Sequence, residues 1–487
     1  MTRRLSFRLL VAFSLVWAAW AAWTMMGGAT PVTVFVVDDL GLPVPGAEIR
    51  RGNEVLGVTA VDGGVKVDWL GGENAMTVAA PGYPILRVPM LGRPEESVEA
   101  VLRAQLLRGR VYDSDGRGVE GAYVTANAGT SVSDIEGRFS LRNAQPGTVQ
   151  VWRPAWEGAV FQWDGGPGER SVTISRETMK SVHISGDAAE ERWTEFIELA
   201  ETTELNSLML DLKDETGLIF FDTELAVAHE IGAVDPRYEL ATVVADAERA
   251  GIYLIGRIVA YQDPIAAIRA PDMAIWDSAT GTAYQSNGQY FLDPTDPAAQ
   301  AYALDLAIEA CQAGLDEIQF DYVRFPDGLR VTAVLDGSIT PDNRIAAIRD
   351  FLATAVAQLH PLGCAVGADI FGFITRAIDD GGIGQRWEEM TSVVDVASPM
   401  LYPSHYASGW YGFADPVEHP AALVGGALDD GLRRLSRQIV VRPWLQDFGY
   451  TADQVRAQIE EANSRGLGWM LWNAQSNVTV EALLPEG

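Results

Sequence analysis

Asp316-Glu317-Ile318-Gln319-Phe320-Asp321-Tyr322-Val323-Arg324-Phe325-Pro326 reads as a strand with two unlike faces. Side chains alternate along a strand, so Ile318 and Phe320 share one face while Gln319 and Asp321 share the other. A helix-like stretch at 297–313 precedes it and stops at Gly314; another follows at 342–359. Helix, strand, helix at this spacing is the repeating unit of a parallel α/β fold.

The unit recurs in both directions. Candidate strands lie at 181–185, 205–214, 252–263, 315–325, 365–373, 394–403, 439–447 and 466–473. Further helix-like segments lie at 187–201, 236–250 and 452–465, with Gly251 and Gly466 after two of them. Eight strands in roughly 300 residues predict a (β/α)8 TIM barrel over residues 178–487. A doubly wound open sheet is the competing arrangement, but it more often shows a Gly-rich first turn.

Chemistry in such a barrel sits at the carboxyl ends of the strands. Alternation turns Met209, Asp211 and Lys213 away from Leu208, Leu210 and Leu212, and Arg257 away from Leu254 and Ile258. It likewise sets Asp369 opposite Ala368 and Ile370, and Arg442, Trp444 and Gln446 opposite Val441, Pro443 and Leu445. Polar groups from several strands thus converge at one mouth. Buried carboxylates must be paired, hydrated or functional. A structural ion network, such as Asp321 with Arg324 or Asp211 with Arg257, is the plain alternative to a reactive site.

The rest of the chain reads differently. Arg3, Arg4 and Arg8 precede an apolar run from Leu9 to Met26. A basic start before an apolar core is an export signal, and the run approaches the ~20 residues that span a bilayer. Residues 1–30 are therefore expected to be a signal peptide or membrane anchor, with the remainder in the cell envelope or outside the cell. Residues 31–104 and 105–177 repeat each other: Val37-Asp38-Asp39-Leu40-Gly41 leads to Pro45-Gly46-Ala47, as Tyr112-Asp113-Ser114-Asp115-Gly116 leads to Glu120-Gly121-Ala122. Short alternating runs between Asp/Gly turns predict two small all-β sandwich modules.

Composition narrows the chemistry. With 66 acidic residues against 36 basic ones the net charge is −30, which excludes a nucleic-acid partner. The five histidines form no HxH or HExxH pair, so no metal is assigned and no cofactor is expected. Cys311 and Cys364 stand in apolar contexts and read as buried free thiols.

The Asp316–Pro326 run, with 205–214 and 253–259, resembles a bacterial family of glycoside-hydrolase-like barrels of unassigned function, distantly related to α-amylase-like barrels. The likeness covers about residues 178–475. It implies a (β/α)8 fold and hydrolysis of glycosidic bonds in a carbohydrate substrate. By analogy with α-amylase-like barrels, Asp321 is the nucleophile and Asp369 the acid/base, although those enzymes place a Glu on strand five. The second β module, with Gly121-Ala122-Tyr123-Val124 and Asp134-Ile135-Glu136-Gly137-Arg138-Phe139, resembles carboxypeptidase regulatory-like sandwiches.

Two carboxyls on neighbouring strands, about 4.8 Å apart in backbone, suit that chemistry. Side-chain reach leaves both the retaining and the inverting separation open. Asp211, Lys213, Arg257, Arg324, Tyr402, Trp444, Gln446 and Trp472 are the substrate-binding candidates. The long connection between Gln262 and Pro297, with Trp276, Tyr284 and Tyr290, is expected to form a lid or subsite wall. A non-catalytic carbohydrate-binding barrel is the second reading, and a metal-dependent hydrolase using Asp211, Asp321 and Asp369 is the third.

Overall fold

The structure, a computed structural model, describes residues 30–70, 74–90, 96–337 and 339–485. The expected export segment lies outside the described residues, among which no helix is long and apolar enough to cross a membrane. Two compact units emerge, one ending at Arg153 and joined by Gly158–Ile174, the other formed by Pro154–Glu157 and Ser175 onward.

The first unit is all β, and its repeat is physical. Thr30–Asp38 pairs with Gly64–Trp69 and Ser97–Leu102, while Leu106–Tyr112 pairs with Arg138–Arg142 and Arg170–Thr173. Each half closes its first turn through one carboxylate. Asp38 Oδ1 accepts from the Leu40 and Leu42 N–H groups, and Asp113 Oδ1 from those of Asp115 and Arg117. Gly63 and Gly137 both take φ +76°, where a side chain would strike the carbonyl of Val36 or Val111.

The second unit is a closed parallel barrel. Its strands are β1 (Lys180–Ile184), β2 (Ser207–Lys213), β3 (Tyr253–Val259), β4 (Glu317–Asp321), β5 (Ala365–Phe371), β6 (Val396–Leu401), β7 (Val440–Val441 with Trp444–Gln446) and β8 (Trp469–Trp472). Each pairs in parallel with the next, and β8 returns to β1. Leu208, Leu210, Leu212, Ile318, Phe320, Ala368 and Ile370 pack outward against the helices. Met209, Ile255, Tyr402, Trp444 and Met470 fill the axis. Burial on both faces explains why the strands are so apolar.

Helices α1 (Gly186–Thr202), α2 (Leu240–Ala250), α3 (Pro297–Ala313), α4 (Pro341–Leu359), α5 (Trp387–Thr391), α6 (Pro420–Arg433) and α7 (Ala452–Asn463) form the outer layer. Asp296 caps α3 by accepting from the Ala299 N–H at 2.8 Å, and Thr451 closes a capping box with Gln454. Gly251 and Gly314 end α2 and α3 in the left-handed conformation. α6 is absent from the sequence reading because Gly425 and Gly426 depress helix propensity. Their lack of a side chain leaves room for Glu461 and Tyr411.

The cysteines correct an expectation. Cys311 in the last turn of α3 and Cys364 just before β5 form a disulfide, with Cα atoms 5.9 Å apart. Apolar flanks signal burial, which thiols and disulfides share; only the fold brings residues separated by 53 positions together.

At the amino end of the barrel, burial pushes the Glu177 carboxyl up to about 7, reinforced by the charge of Glu317 and opposed by Arg442. A raised carboxyl pKa favours the native state below the unfolded value, and that advantage is lost as pH rises through 7. Glu177→Gln is therefore expected to stabilise the protein above pH 7 by at most about 3 kcal/mol, with little change near pH 4. Urea midpoints at the two pH values measure it.

Candidate active site

The carboxyl ends of β2 to β8 enclose a cavity of about 410 Å³. Phe320 of β4 pairs with Ala368 of β5, so the next residues, Asp321 and Asp369, stand side by side on neighbouring strands. Both line the cavity, as do Arg257, Arg324, Tyr402, Trp444 and Trp472.

The two aspartates live in opposite surroundings. Asp321 Oδ2 accepts from Arg257 Nε at 3.0 Å and Nη2 at 2.6 Å, and its Oδ1 accepts from the Tyr322 N–H at 2.6 Å. Tyr322 takes φ +47° in making that contact. These are charge-assisted hydrogen bonds that fix the carboxylate's orientation. Asp369 Oδ1 accepts from Trp444 Nε1 at 2.6 Å and from Gln319 Nε2, whereas its buried Oδ2 has no hydrogen-bond partner among the described residues. Burial pushes the Asp369 carboxyl well above the ordinary carboxylate range, and the charge of Asp321 adds to the shift. One carboxyl is tied to a cation, and the other is buried with one oxygen unpartnered.

Arg257 organises this pair from beneath. Besides Asp321 it donates through Nη1 to Asp211 Oδ1 at 2.8 Å and lies 3.4 Å from Glu215 Oε2, with its guanidinium over Trp472. Burial alone lowers its pKa, but Asp211, Asp321 and Glu215 together raise it well above the ordinary value. Asp211 does not line the cavity. It is buried between Arg257 and His183, whose Nε2 lies 2.9 Å from its Oδ2. Burial raises the Asp211 carboxyl, but His183 and Arg257 outweigh it and hold the group below its usual range. Asp211 therefore positions Arg257.

Three further expectations change. The ladder between β2 and β3 shifts register after Asp211, so Lys213 falls opposite outward-facing Ile258. That bulge turns Lys213 off the axis, where its Nζ sits 2.9 Å from Asp263 Oδ2, both residues being buried. Lys213→Ala is expected to cost about 3–5 kcal/mol of stability, because Asp263 is left buried and unpaired. Substrate affinity of the folded variant should be unchanged; denaturant unfolding and a binding titration check the two halves.

Gln446 also lies off the cavity. Its Oε1 accepts from the Ser404 N–H at 3.1 Å and its Nε2 donates to the Phe448 carbonyl at 3.0 Å, which ties two rim loops together. The connection after β3 forms no wall of this cavity. Tyr284 is buried with Ile275 and Phe291 in a small core of its own, and Trp276 and Tyr290 are not among the lining residues.

Sequence parity missed other residues. Glu215 follows the β2 bulge, past which alternation no longer applies. Phe371 ends β5 on the parity of Asp369, and Tyr322, Gln385, His405, Tyr406 and Trp410 lie beyond strand ends; all of them line the cavity. The aromatic run from Tyr402 to Phe413, all in one connection after β6, was a legible signal. His183, inward on β1 and 4.1 Å from the Trp472 ring, was legible from alternation.

The family described as "Putative glycosyl hydrolase domain" (DUF4015) matches residues 181–478. No curated protein matches the chain. Among solved structures, a hypothetical protein from Ruminiclostridium thermocellum is 30% identical, over 39% of this chain and 96% of that one, with a TM-score of 0.35. The PgaB (BpsB) glycoside hydrolase domain from Bordetella bronchiseptica is 13% identical over 62% of this chain and 95% of its own, at 0.45. The C-terminal domain of a "putative chitinase" from Desulfitobacterium hafniense is 11% identical over 63% of this chain and 97% of its own, at 0.42. The family match runs from β1 past the end of β8, across the strands that carry both aspartates, and the chain belongs to this glycosyl hydrolase domain family.

Proposed function

We propose that the barrel hydrolyses O-glycosidic bonds of a poly- or oligosaccharide with Asp321 and Asp369 as its carboxyl pair. One observation carries the reading: an ion-paired carboxylate and a buried, raised-pKa carboxyl stand side by side in an aromatic-lined cavity. Glycoside hydrolysis needs such a divided pair. Protonated Asp369 donates to the glycosidic oxygen through its unpartnered Oδ2. Asp321 attacks the anomeric carbon, and water then releases the glycosyl–enzyme ester with Asp369 acting as base. Adjacent strands about 4.8 Å apart favour the ~5–5.5 Å separation of retaining enzymes. Trp472 and Tyr402 supply apolar faces for sugar rings, while Trp444 spends its N–H on holding Asp369.

We also propose that the chain is exported. The basic-then-apolar start supports this, as does the Cys311–Cys364 disulfide, since disulfides persist in oxidising compartments. Reducing-end release from a broad polysaccharide panel, with Asp321→Asn run alongside, tests the activity. Release by the parent and none by the folded variant supports it. Glycan binding without release by either form would make this a binding barrel.

A further inference from the structure

Arg324 is the cavity's unexplained charge. It is only 5% exposed, yet it lines the cavity. Its guanidinium lies 4.6 Å from the Phe371 ring centroid, 5.1 Å from Tyr322 and 5.5 Å from Phe291. Those rings position it without satisfying its N–H groups. Its hydrogen bond among the described residues runs from Nη1 to the carbonyl of neighbouring Phe325, at 2.9 Å. The nearest carboxylate oxygen, of half-exposed Asp327, is 3.7 Å from that same nitrogen, beyond hydrogen-bond range. Nε and Nη2 therefore make no hydrogen bond among the described residues.

Arg257, which lines the same cavity, is the internal control. Its Nε, Nη1 and Nη2 are all spent on carboxylates. Arg324 thus presents unused guanidinium donors to the cavity, where an anion gains more from them than water does. The chain holds Asp321 against Arg257 and gives Arg324 only a loose ion pair with Asp327, and burial lowers the Arg324 pKa despite Asp327, Tyr322 and Asp321 nearby. A partner for these donors can enter with the ligand.

We propose that Arg324 is the recognition residue for a carboxylate on the substrate, so that the glycan cleaved here carries a uronic acid in the subsite beside Asp321. A planar carboxylate matches the two-pronged edge of a guanidinium, and the flanking rings leave edge-on approach as the productive one. The strongly acidic remainder of the protein repels polyanions in general, which makes recognition of the acidic group a local event at this one cation. The inference rests on the glycosidase reading for the substrate's being a glycan, but its test reads binding and needs no turnover.

The probes are oligogalacturonate, oligomannuronate, oligoguluronate and glucuronate-containing oligosaccharides, each beside its carboxyl-reduced, neutral counterpart. Sulfated galacto-oligosaccharides serve as a second anion. Titrations follow tryptophan fluorescence, since Trp444 and Trp472 line the cavity. At least one uronide should bind the full-length protein at least about tenfold tighter than its reduced form. Arg324→Gln should erase that preference and Arg324→Lys should keep part of it. Equal binding of uronides and their reduced forms, which needs no variant, overturns the proposal. So does absence of binding by every uronide, tighter binding of the sulfated probe, or a preference that survives in Arg324→Gln. Release of neutral sugars with no acidic preference would sink this inference and leave the hydrolase standing; uronide binding without release would do the reverse.

Discussion

Asp321→Asn should lower turnover by at least about 10³-fold on every substrate, whatever the leaving group, while the protein stays folded. The reason is chemical. An amide has no oxygen able to form the glycosyl ester, so a better leaving group does not help. Arg257 keeps Asp211 and Glu215 as partners, and the amide oxygen of the variant can still accept from its guanidinium. A stability loss of about 1–3 kcal/mol is expected, enough to shift the melting temperature without emptying the native state. Turnover on a native glycan and on an activated aryl glycoside, with circular dichroism on the same samples, reads all three. An equal rate in parent and variant would remove Asp321 from the chemistry.

Asp369→Asn should behave differently, and the contrast separates the two roles. Its amide oxygen can accept from Gln319 and Trp444 as Oδ1 does now, and its NH₂ takes the place of the protonated Oδ2. The variant thus copies the shape of the neutral acid but has no proton to give. Turnover of native glycans is expected to fall by about 10²–10⁴-fold, with much smaller loss on aryl glycosides whose leaving groups depart unprotonated. On the proposed mechanism the parent needs Asp369 protonated, so its rate should decline as pH rises through the elevated pKa of that group. The stability sign agrees: a carboxyl raised by folding favours the native state at low pH, and that contribution disappears as pH rises through the folded value. The variant should lose this part of the pH dependence. An unchanged basic limb in Asp369→Asn would assign the acid elsewhere, with Glu215 on the cavity rim next in line.

Much of this site was readable before any fold was known. Alternation alone turned Asp321, Asp369, Arg257 and Trp444 inward, and packing of Leu208, Leu210, Ile318, Phe320, Ala368 and Ile370 against the helices agrees with it. The same rule failed at Lys213, because a single register shift moves every later side chain to the other face. Loop length misled for the aromatics after β3, where a connection long enough to fold back builds its own core around Tyr284.

Periodicity and helix stops are properties of neighbours in the chain, and they sufficed for eight strands, an outer helical layer and a mouth rich in carboxylates. Which carboxylate meets which cation is a property of closure. Asp321 could have paired with Arg324, three residues away; instead it meets Arg257 of the neighbouring strand, 64 positions back. Barrel curvature brings those two inward side chains together, while the turn after β4, beginning with Tyr322 at φ +47°, carries Arg324 among three aromatic rings. The residue types came from local sequence. The division into a cation-paired carboxyl, a buried one with an unpartnered oxygen and a guanidinium with only a loose ion pair came from burial and partner distance, which exist only once the sheet has closed.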